Sequence, residues 1–550
     1  MLEKIEKHPV LSLSITVLLM LFVHLDVPNI SIMEARNFIT AREMFQDNNW
    51  LLTTMNGQAR YEKPPFPTWL TAISGILFGA NSLFALRLPA ALMVLFSGIY
   101  CYFFSLKLNL SKKHSFRNSL IFVTSFYVIG IIFEAPWDIF THGFMLAGLY
   151  YLYTFFEEDK SVWKNTLLAS IFFGFSILSK GPVSLFAVFL PFLITYTIVF
   201  KFKNFKQKLV PFISFVILFI SIGSWWFVYV KLVDPESFFV IAEREYSNWS
   251  NYNVKPFYYY WSFFIQSGLW TIPAFISLCY PYLAARVVHK KAYLFSFLWT
   301  IFAVLLLSAV PEKKPRYLMP VLIPLALNIG FYIQYLICDF SKIKDKRENI
   351  PVYFNFGLIA VVGIIFPIIT YFILQDEINS YLFSYILTSV ALASIGFLML
   401  KSLKQKNMKK VFYLTIFFLI VILVLGLPIS SHFNKNKNYN SFQSVHQFEV
   451  ENKLSTFSIG QLANSRNKKY DSPELLWYYN GKVQNIFINN ILVLPPDEAF
   501  GLLILNEDVP HISYLLNTNY NLKWIETINL NVGAKKKERM IREFYLISKK

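Results

Sequence analysis

The sequence predicts a polytopic α-helical membrane protein that carries a small soluble α/β domain at its C-terminal end. Hydrophobic residues make up 55% of the 550, charged residues only 15%, and the mean hydropathy is +0.45, too apolar for a water-soluble globule. The apolar residues gather in runs near the length of about 20 residues that a bilayer requires. After Ile429 the pattern changes. From His432 to Lys550, short apolar runs such as LLWYY, FGLLILN and FYLIS alternate with Asn-rich and charged segments, as in a soluble α/β domain.

Taken in order, the apolar runs give thirteen spans, near residues 9–26, 86–107, 117–133, 139–156, 166–179, 183–200, 210–230, 259–283, 292–310, 317–337, 352–374, 380–401 and 411–431. The first lacks a small-residue cleavage pattern and reads as a retained helix. Basic clusters then fix the orientation. Lys112, Lys113 and Arg117; Lys201, Lys203, Lys206 and Lys208; Arg286, Lys290 and Lys291; Lys342, Lys344, Lys346 and Arg347; and Lys404, Lys406, Lys409 and Lys410 mark cytoplasmic loops, with the N-terminus on the same side. The 157–165 loop alone is not basic. Counting Pro64–Phe84 as a span would invert every later loop. Its PPFP start and internal Gly75 and Gly79 suit an interfacial or re-entrant helix. The expected organisation is a membrane domain over 1–431, with a juxtamembrane segment at 27–85, and an extracytoplasmic domain over 432–550. Such a protein spans a membrane many times, with that segment and the tail on the extracytoplasmic side.

The net charge of +18 does not indicate nucleic acid, because the bases lie in short loops between apolar runs. Cys101, Cys279 and Cys338 have no paired spacing and imply neither a disulfide framework nor a zinc site.

Charge is concentrated between Ile32 and Pro67, where Glu34 and Glu62 accompany Arg36, Arg42, Arg60 and Lys63. If residues 33–47 form a helix, Arg36, Glu43 and Asp47 share a polar side. Glu34 falls in the apolar arc with Phe38, Ala41 and Phe45, and Arg42 lies at its rim. A carboxylate buried there needs a cationic or polar partner. An ion pair anchoring the helix explains it as well as a reaction site does. Asp138, Lys180 and PEKKPRY at 311–317 fall on the same predicted membrane face. Asp138 suits a helix N-cap as readily as a functional carboxylate. Lys180-Gly-Pro reads as a helix break with a snorkelling lysine, Lys313 and Lys314 as lipid-headgroup anchors, Tyr258 to Trp261 as interface aromatics, and His142 as a locally packed side chain.

MEARNFITAREM, NNWLLTTMNGQARYEKPPFPTWL, FGANSLFALRLPAAL, SKGP and KKPRYLMPVLIPLAL, in this order, resemble the markers of bacterial GT-C glycosyltransferases, chiefly the lipid A aminoarabinose transferases and their protein O-mannosyltransferase relatives. The resemblance is strong over roughly residues 30–340 and architectural beyond. It implies a GT-C type fold of about thirteen transmembrane helices with periplasmic juxtamembrane helices, and transfer of a sugar from a polyprenyl-phosphate donor to an extracytoplasmic acceptor. The expected acceptor is lipid A or another envelope glycolipid or glycan, with protein Ser/Thr hydroxyls as the alternative. A lipid-linked sugar flippase is the competing class, and it should show inverted repeats and midplane charges.

By motif match, the resemblance places Lys63 and Tyr317 at the donor phosphate with Arg316 close by, and an acidic residue at the position of Asp138. Arg36 and Arg60 add charge for the phosphate, Tyr61 completes the RYEKPP stretch, and Glu62 organises it. Glu34 and Asp138 are the expected catalytic carboxylates. Two departures stand out. Met33 replaces the first residue of the family's Asp-Glu pair, which tilts the acceptor toward a phosphate, since a phosphate is already anionic and a hydroxyl is not. The outer loop at 238–261 also lacks the histidine that relatives pair with the EKPP glutamate for a divalent ion. No metal is therefore expected as a requirement, although Glu62 with Glu243 or Glu245 could hold a hard cation.

Overall fold

A computed structural model describes residues 2–202, 205–374, 381–430, 436, 438–459, 472–488, 491–533 and 537–550. Lys203, the start of the 380–401 span and the expected 431/432 boundary lie outside them. The chain forms two compact units, Met1–Pro28 with Arg60–Ser431, and Asn29–Ala59 with His432–Lys550. The charged helix after Asn29 thus joins the tail domain, although the sequence grouped it with the membrane domain.

The first unit is a helical bundle, and the chain is a multi-pass membrane protein. Among the described residues, eight helices are long and apolar enough to cross a bilayer, and Lys112–Val123 with Phe126–Glu134, bent by 44°, makes a ninth. Helices at Pro9–Phe22, Pro136–Glu157 and Leu185–Val199 occupy three more expected spans but are shorter or more polar. The expected span at 259–283 is not one helix. It breaks at Gly268, which takes φ +65° against the Phe126 ring, and continues as the short helices Thr271–Ser277 and Tyr280–Ala284, each carrying a proline. Phe66–Phe78 has only 13 residues and stops at Gly79 with φ +117°. It is too short to span.

In the second unit, helix Ile32–Gln46 opens with a capping box. Ser31 accepts from the Glu34 amide at 3.2 Å, and Glu34 accepts from the Ser31 amide at 3.0 Å. The inward face meets the tail. Phe38 packs edge-on against Trp477 with centroids 5.5 Å apart, Arg42 lies over the Trp477 ring and donates to Asn480 at 2.9 Å, and Asn56 exchanges two hydrogen bonds with the Val483 backbone. Glu43 does not share a solvated polar side with Arg36 and Asp47. It is buried, accepting from Thr54 Oγ1 and from the amides of Asn56 and Gly57, because the following turn needs those donors satisfied.

The tail forms a five-stranded mixed sheet, in edge-to-edge order Gln484–Asn485, Thr456–Ser458, Ala499–Ile504, Ile541–Lys549 and Tyr520–Asn529. The first two pairings are parallel and the last two antiparallel. Phe500, Leu502 and Ile504 share an apolar core with Ile512, Leu516 and Ile547, and the strand is buried without interruption from Phe500 to Ile504, as in a central strand covered on both faces.

Candidate functional site

The site is built in the first unit on the stretch Arg60–Lys63. Its backbone is irregular because Pro64, Pro65 and Pro67 follow, and it leads directly into helix Phe66–Phe78. The Arg60 guanidinium lies 5.2 Å over the Trp137 ring. Tyr61 donates to Asp234 at 2.8 Å and stands edge-on to Trp226. This hydrogen bond holds the Asp234 carboxyl below its usual range, while burial and then the Asp234 charge push the Tyr61 phenol up. Asp234 also caps helix Pro235–Asn251 through the Ser237 amide.

That helix returns two charges to the stretch. Arg244 pairs with Glu62, and Glu245 lies 3.6 Å from Lys63, whose ammonium also donates to the Glu62 carbonyl at 3.0 Å. Of the carboxylates considered for a divalent ion, Glu62 and Glu245 are engaged by cations and Glu243 is exposed, and the described residues hold no group of three His, Cys, Asp or Glu side chains placed for a metal. The donor set does not fit such an ion.

Asp138 stands in the first turn of helix Pro136–Glu157. It is not the N-cap, which is Ala135. Its Oδ1 accepts from Lys180, and the pair is buried, with side chains 1% and 11% exposed. Lys180 does not snorkel. Helix Val162–Lys180 ends against Gly181 at φ +77°, which turns the chain away and leaves the ammonium facing Asp138. The Lys180 ammonium also sits 5.1 Å over the Tyr317 ring, within electrostatic reach of Lys63 and Arg316. The Tyr317 hydroxyl donates to Glu312 at 3.2 Å, and Arg316 lies over the Tyr317 ring at 5.7 Å.

Two lysines expected as headgroup anchors have other work. Lys313 is buried, donating to the carbonyls of Lys255 and Val310, and burial lowers its pKa; Lys314 pairs with Glu312. Tyr260 is likewise not an interface aromatic, since its hydroxyl donates to the Lys314 carbonyl and accepts from the Lys314 amide. Tyr258 and Trp261 are exposed.

The structure thus gathers Lys63, Asp138, Arg316 and Tyr317 around Lys180, with Arg60 on Trp137 and Tyr61 and Glu62 on the outer-loop helix. Glu34 and Arg36 belong to the other unit. Glu34 is fully buried, and Arg36 is half-buried with its Nη1 at 3.9 Å from Met33 Sδ. Lys180 and Arg244 were missed as site residues. Lys180 sits in the SKGP element, which signalled a helix break, whereas Arg244 follows from the loop's charges only once the loop is folded. The assembled group can hold an anion beside a fixed carboxylate, the requirement for stabilising an anionic leaving group near a reacting carbon.

Residues 62–226 match the family described as dolichyl-phosphate-mannose-protein mannosyltransferase. The chain is 25% identical over 340 residues to the undecaprenyl phosphate-alpha-4-amino-4-deoxy-L-arabinose arabinosyl transferase of Wigglesworthia glossinidia brevipalpis, covering 60% of this chain and 58% of that protein. It is 24% identical over 337 residues to an uncharacterized Aquifex aeolicus protein, covering 58% and 62%. The alignments thus span about three fifths of these curated relatives. The fold is similar to that of ArnT from Cupriavidus metallidurans in its crystal structure bound to undecaprenyl phosphate, with a TM-score of 0.65 at 16% identity over 98% of this chain and 97% of that one. The similarity covers nearly the whole of both chains, the tail included, and shows the fold.

Proposed function

We propose that this chain is an integral membrane glycosyltransferase that moves a sugar from a polyprenyl-phosphate donor to an extracytoplasmic acceptor. The observation that carries the reading is the set of Lys63, Lys180 and Arg316 around Asp138 on the RYEKPP side of the bundle. With their neighbours counted, Lys63, Lys180, Lys314 and Arg316 stand against Asp138, Glu245 and Glu312, which leaves a net positive charge for a phosphate. The names of the sequence relatives, which specify undecaprenyl-phosphate sugar transfer, support the same donor class. By the positive-inside argument, the site and the tail domain face the periplasm and the protein resides in the inner membrane.

In this reading Lys63 and Arg316 hold the donor phosphate, with Arg60 and Tyr317 alongside. The acceptor oxygen attacks the anomeric carbon, the bond from that carbon to the phosphate oxygen breaks, and its electron pair stays on the phosphate, which the cations stabilise. Asp138, fixed by Lys180, faces the incoming acceptor. A phosphate acceptor has no proton to lose, whereas a hydroxyl would pass its proton to Asp138. The proposed acceptor is lipid A or another envelope glycan. Glu34, engaged in its capping box, acts on the position of its helix.

Purified protein incubated with radiolabelled undecaprenyl-phospho-sugars and envelope lipids should move label to the lipid fraction, and Asp138→Asn should abolish transfer to a hydroxyl acceptor while transfer to a phosphate persists. Label on protein hydroxyls would replace the acceptor assignment with the protein O-glycosyltransferase alternative. If the lipid-linked sugar only changes leaflet in vesicles and no label moves, the transferase reading fails and a flippase takes its place.

A further inference from the structure

The first two turns of helix Pro136–Glu157 hold more hydrogen-bonding capacity than the protein uses. Trp137, Asp138, Thr141 and His142 are at most 2% exposed. In each, one polar atom has no hydrogen-bond partner among the described residues: Trp137 Nε1, Asp138 Oδ2, Thr141 Oγ1 and His142 Nδ1. A buried polar atom left unsatisfied costs about 1–3 kcal/mol, so four on adjacent turns call for something to meet them. Residues 137 and 141 are one turn apart, as are 138 and 142, so the four occupy an arc of about 140°.

Their surroundings tie the arc to the cations. Arg60 covers the Trp137 ring, Lys180 holds the other Asp138 oxygen, and His142 lies within electrostatic reach of both Asp138 and Lys180. The Thr141 carbonyl accepts from Ser176 Oγ at 2.7 Å, which leaves its hydroxyl unpartnered. Unpartnered atoms also occur at His114, Ser115 and Asn118, but the charged neighbours of His114 are Arg117 and His289, outside this cation set.

The four atoms comprise a fixed donor in the indole, a fixed acceptor in the carboxylate, and two groups that can do either, the hydroxyl and the imidazole. A phosphate, being all acceptor, does not satisfy Asp138 Oδ2, and an apolar chain satisfies none of them. A ring bearing several hydroxyl or amino groups offers both the donors and the acceptors that such a set calls for. We propose that Trp137, Asp138, Thr141 and His142 form the subsite for the sugar ring of the lipid-linked donor, and that this helix decides which sugar is accepted. The inference rests on the glycosyltransferase reading above.

The test uses full-length protein in detergent and the near-isosteric variants Trp137→Phe, Thr141→Val and His142→Gln. Ligand-induced thermal shifts give affinities for undecaprenyl phosphate, undecaprenyl-phospho-mannose and undecaprenyl-phospho-4-amino-4-deoxy-L-arabinose. Wild type should bind at least one loaded lipid more tightly than the bare one. Each variant should lose about tenfold for that loaded lipid, one hydrogen bond's worth, with bare-lipid affinity unchanged. Equal affinity of wild type for loaded and bare lipids, or variants that bind the loaded lipid as wild type does, would mean the atoms hold water alone and would overturn the subsite. Variants that lose affinity for bare and loaded lipids to the same extent would overturn it too. Wild type that binds none of the three probes would overturn the glycosyltransferase reading together with the subsite.

Discussion

The Lys180 ammonium donates to the Asp138 carboxylate across 42 residues of sequence, joining the end of one helix to the first turn of another inside the membrane unit. Removing one partner leaves the other charged and buried, at a cost of about 3–5 kcal/mol, whereas removing both leaves neutral groups. Lys180→Met and Asp138→Asn should each lower the unfolding temperature in detergent, and the double variant should regain part of the loss. A double variant no more stable than the summed single effects would show that the two charges are not coupled.

That pair also marks where the sequence stops being legible. The EKPP and KKPRY elements are contiguous, so Lys63 and Tyr317 could be singled out by their resemblance to the family's motifs. Lys180 and Asp138 gain their meaning from each other, and each offered a local explanation, a snorkelling lysine and an N-cap. The Ser31-Ile-Met-Glu34 capping box, by contrast, was visible as a pattern and was overlooked in favour of the burial of Glu34. The apolar arc of Phe38 and Ala41 correctly predicted a buried face, but its partner Trp477 lies more than 400 positions away, and periodicity carries no information about which element fills a groove.

Lys63 is held by Glu245 and by the Glu62 carbonyl, so an incoming phosphate must compete with a carboxylate. Lys63→Ala should weaken undecaprenyl phosphate binding by about 10- to 100-fold, the loss of a charge-assisted hydrogen bond. Glu245→Gln should act in the opposite direction, by up to about fivefold, because a half-exposed ion pair is worth at most about 1 kcal/mol. Thermal shift against lipid concentration reads both, and a fall in affinity for Glu245→Gln would show that Glu245 does not compete with the phosphate.

Glu34 offers a separation of charge from geometry. Glutamine also completes a capping box, so Glu34→Gln should leave helix Ile32–Gln46 and the unfolding temperature nearly unchanged and keep transfer within a few-fold. Ser31→Ala should cost about 1 kcal/mol through the lost cap. Abolished transfer in a stable Glu34→Gln protein would move the reacting carboxylate from Asp138 to Glu34.

The Tyr61 to Asp234 hydrogen bond sets a pH window for the outer-loop helix. The folded Asp234 carboxyl lies below its unfolded value, so its contribution is fully present above about pH 4 and disappears only as pH falls through the lower folded value. Proteolysis of the 235–258 segment should therefore be independent of this pair between pH 5 and 8. Tyr61→Phe should increase cleavage throughout that window by a constant factor. An effect of Tyr61→Phe that appears only near pH 5 would contradict the assignment.

Arg42 is buried against Trp477, donates to Asn480 at 2.9 Å and reaches the Leu476 carbonyl at 3.5 Å, so it fastens helix Ile32–Gln46 to the tail domain with neutral partners. Arg42→Ala removes a charge-assisted hydrogen bond and a cation–π contact and opens a cavity beside the indole, together about 2–4 kcal/mol. Truncation after residue 431 goes further, since it strips Phe38, Arg42 and Asn56 of their partners at once and leaves an apolar helix face uncovered. Both changes should make residues 29–59 sensitive to protease, measured by mass spectrometry of the released peptides, with the truncation more severe. Asp47→Asn, which breaks only the exposed pair with Lys482, should leave the segment protected because such surface pairs contribute little. If the truncated protein resists cleavage as the full chain does, the segment is held by the membrane unit and the packing on Trp477 is incidental to its fold.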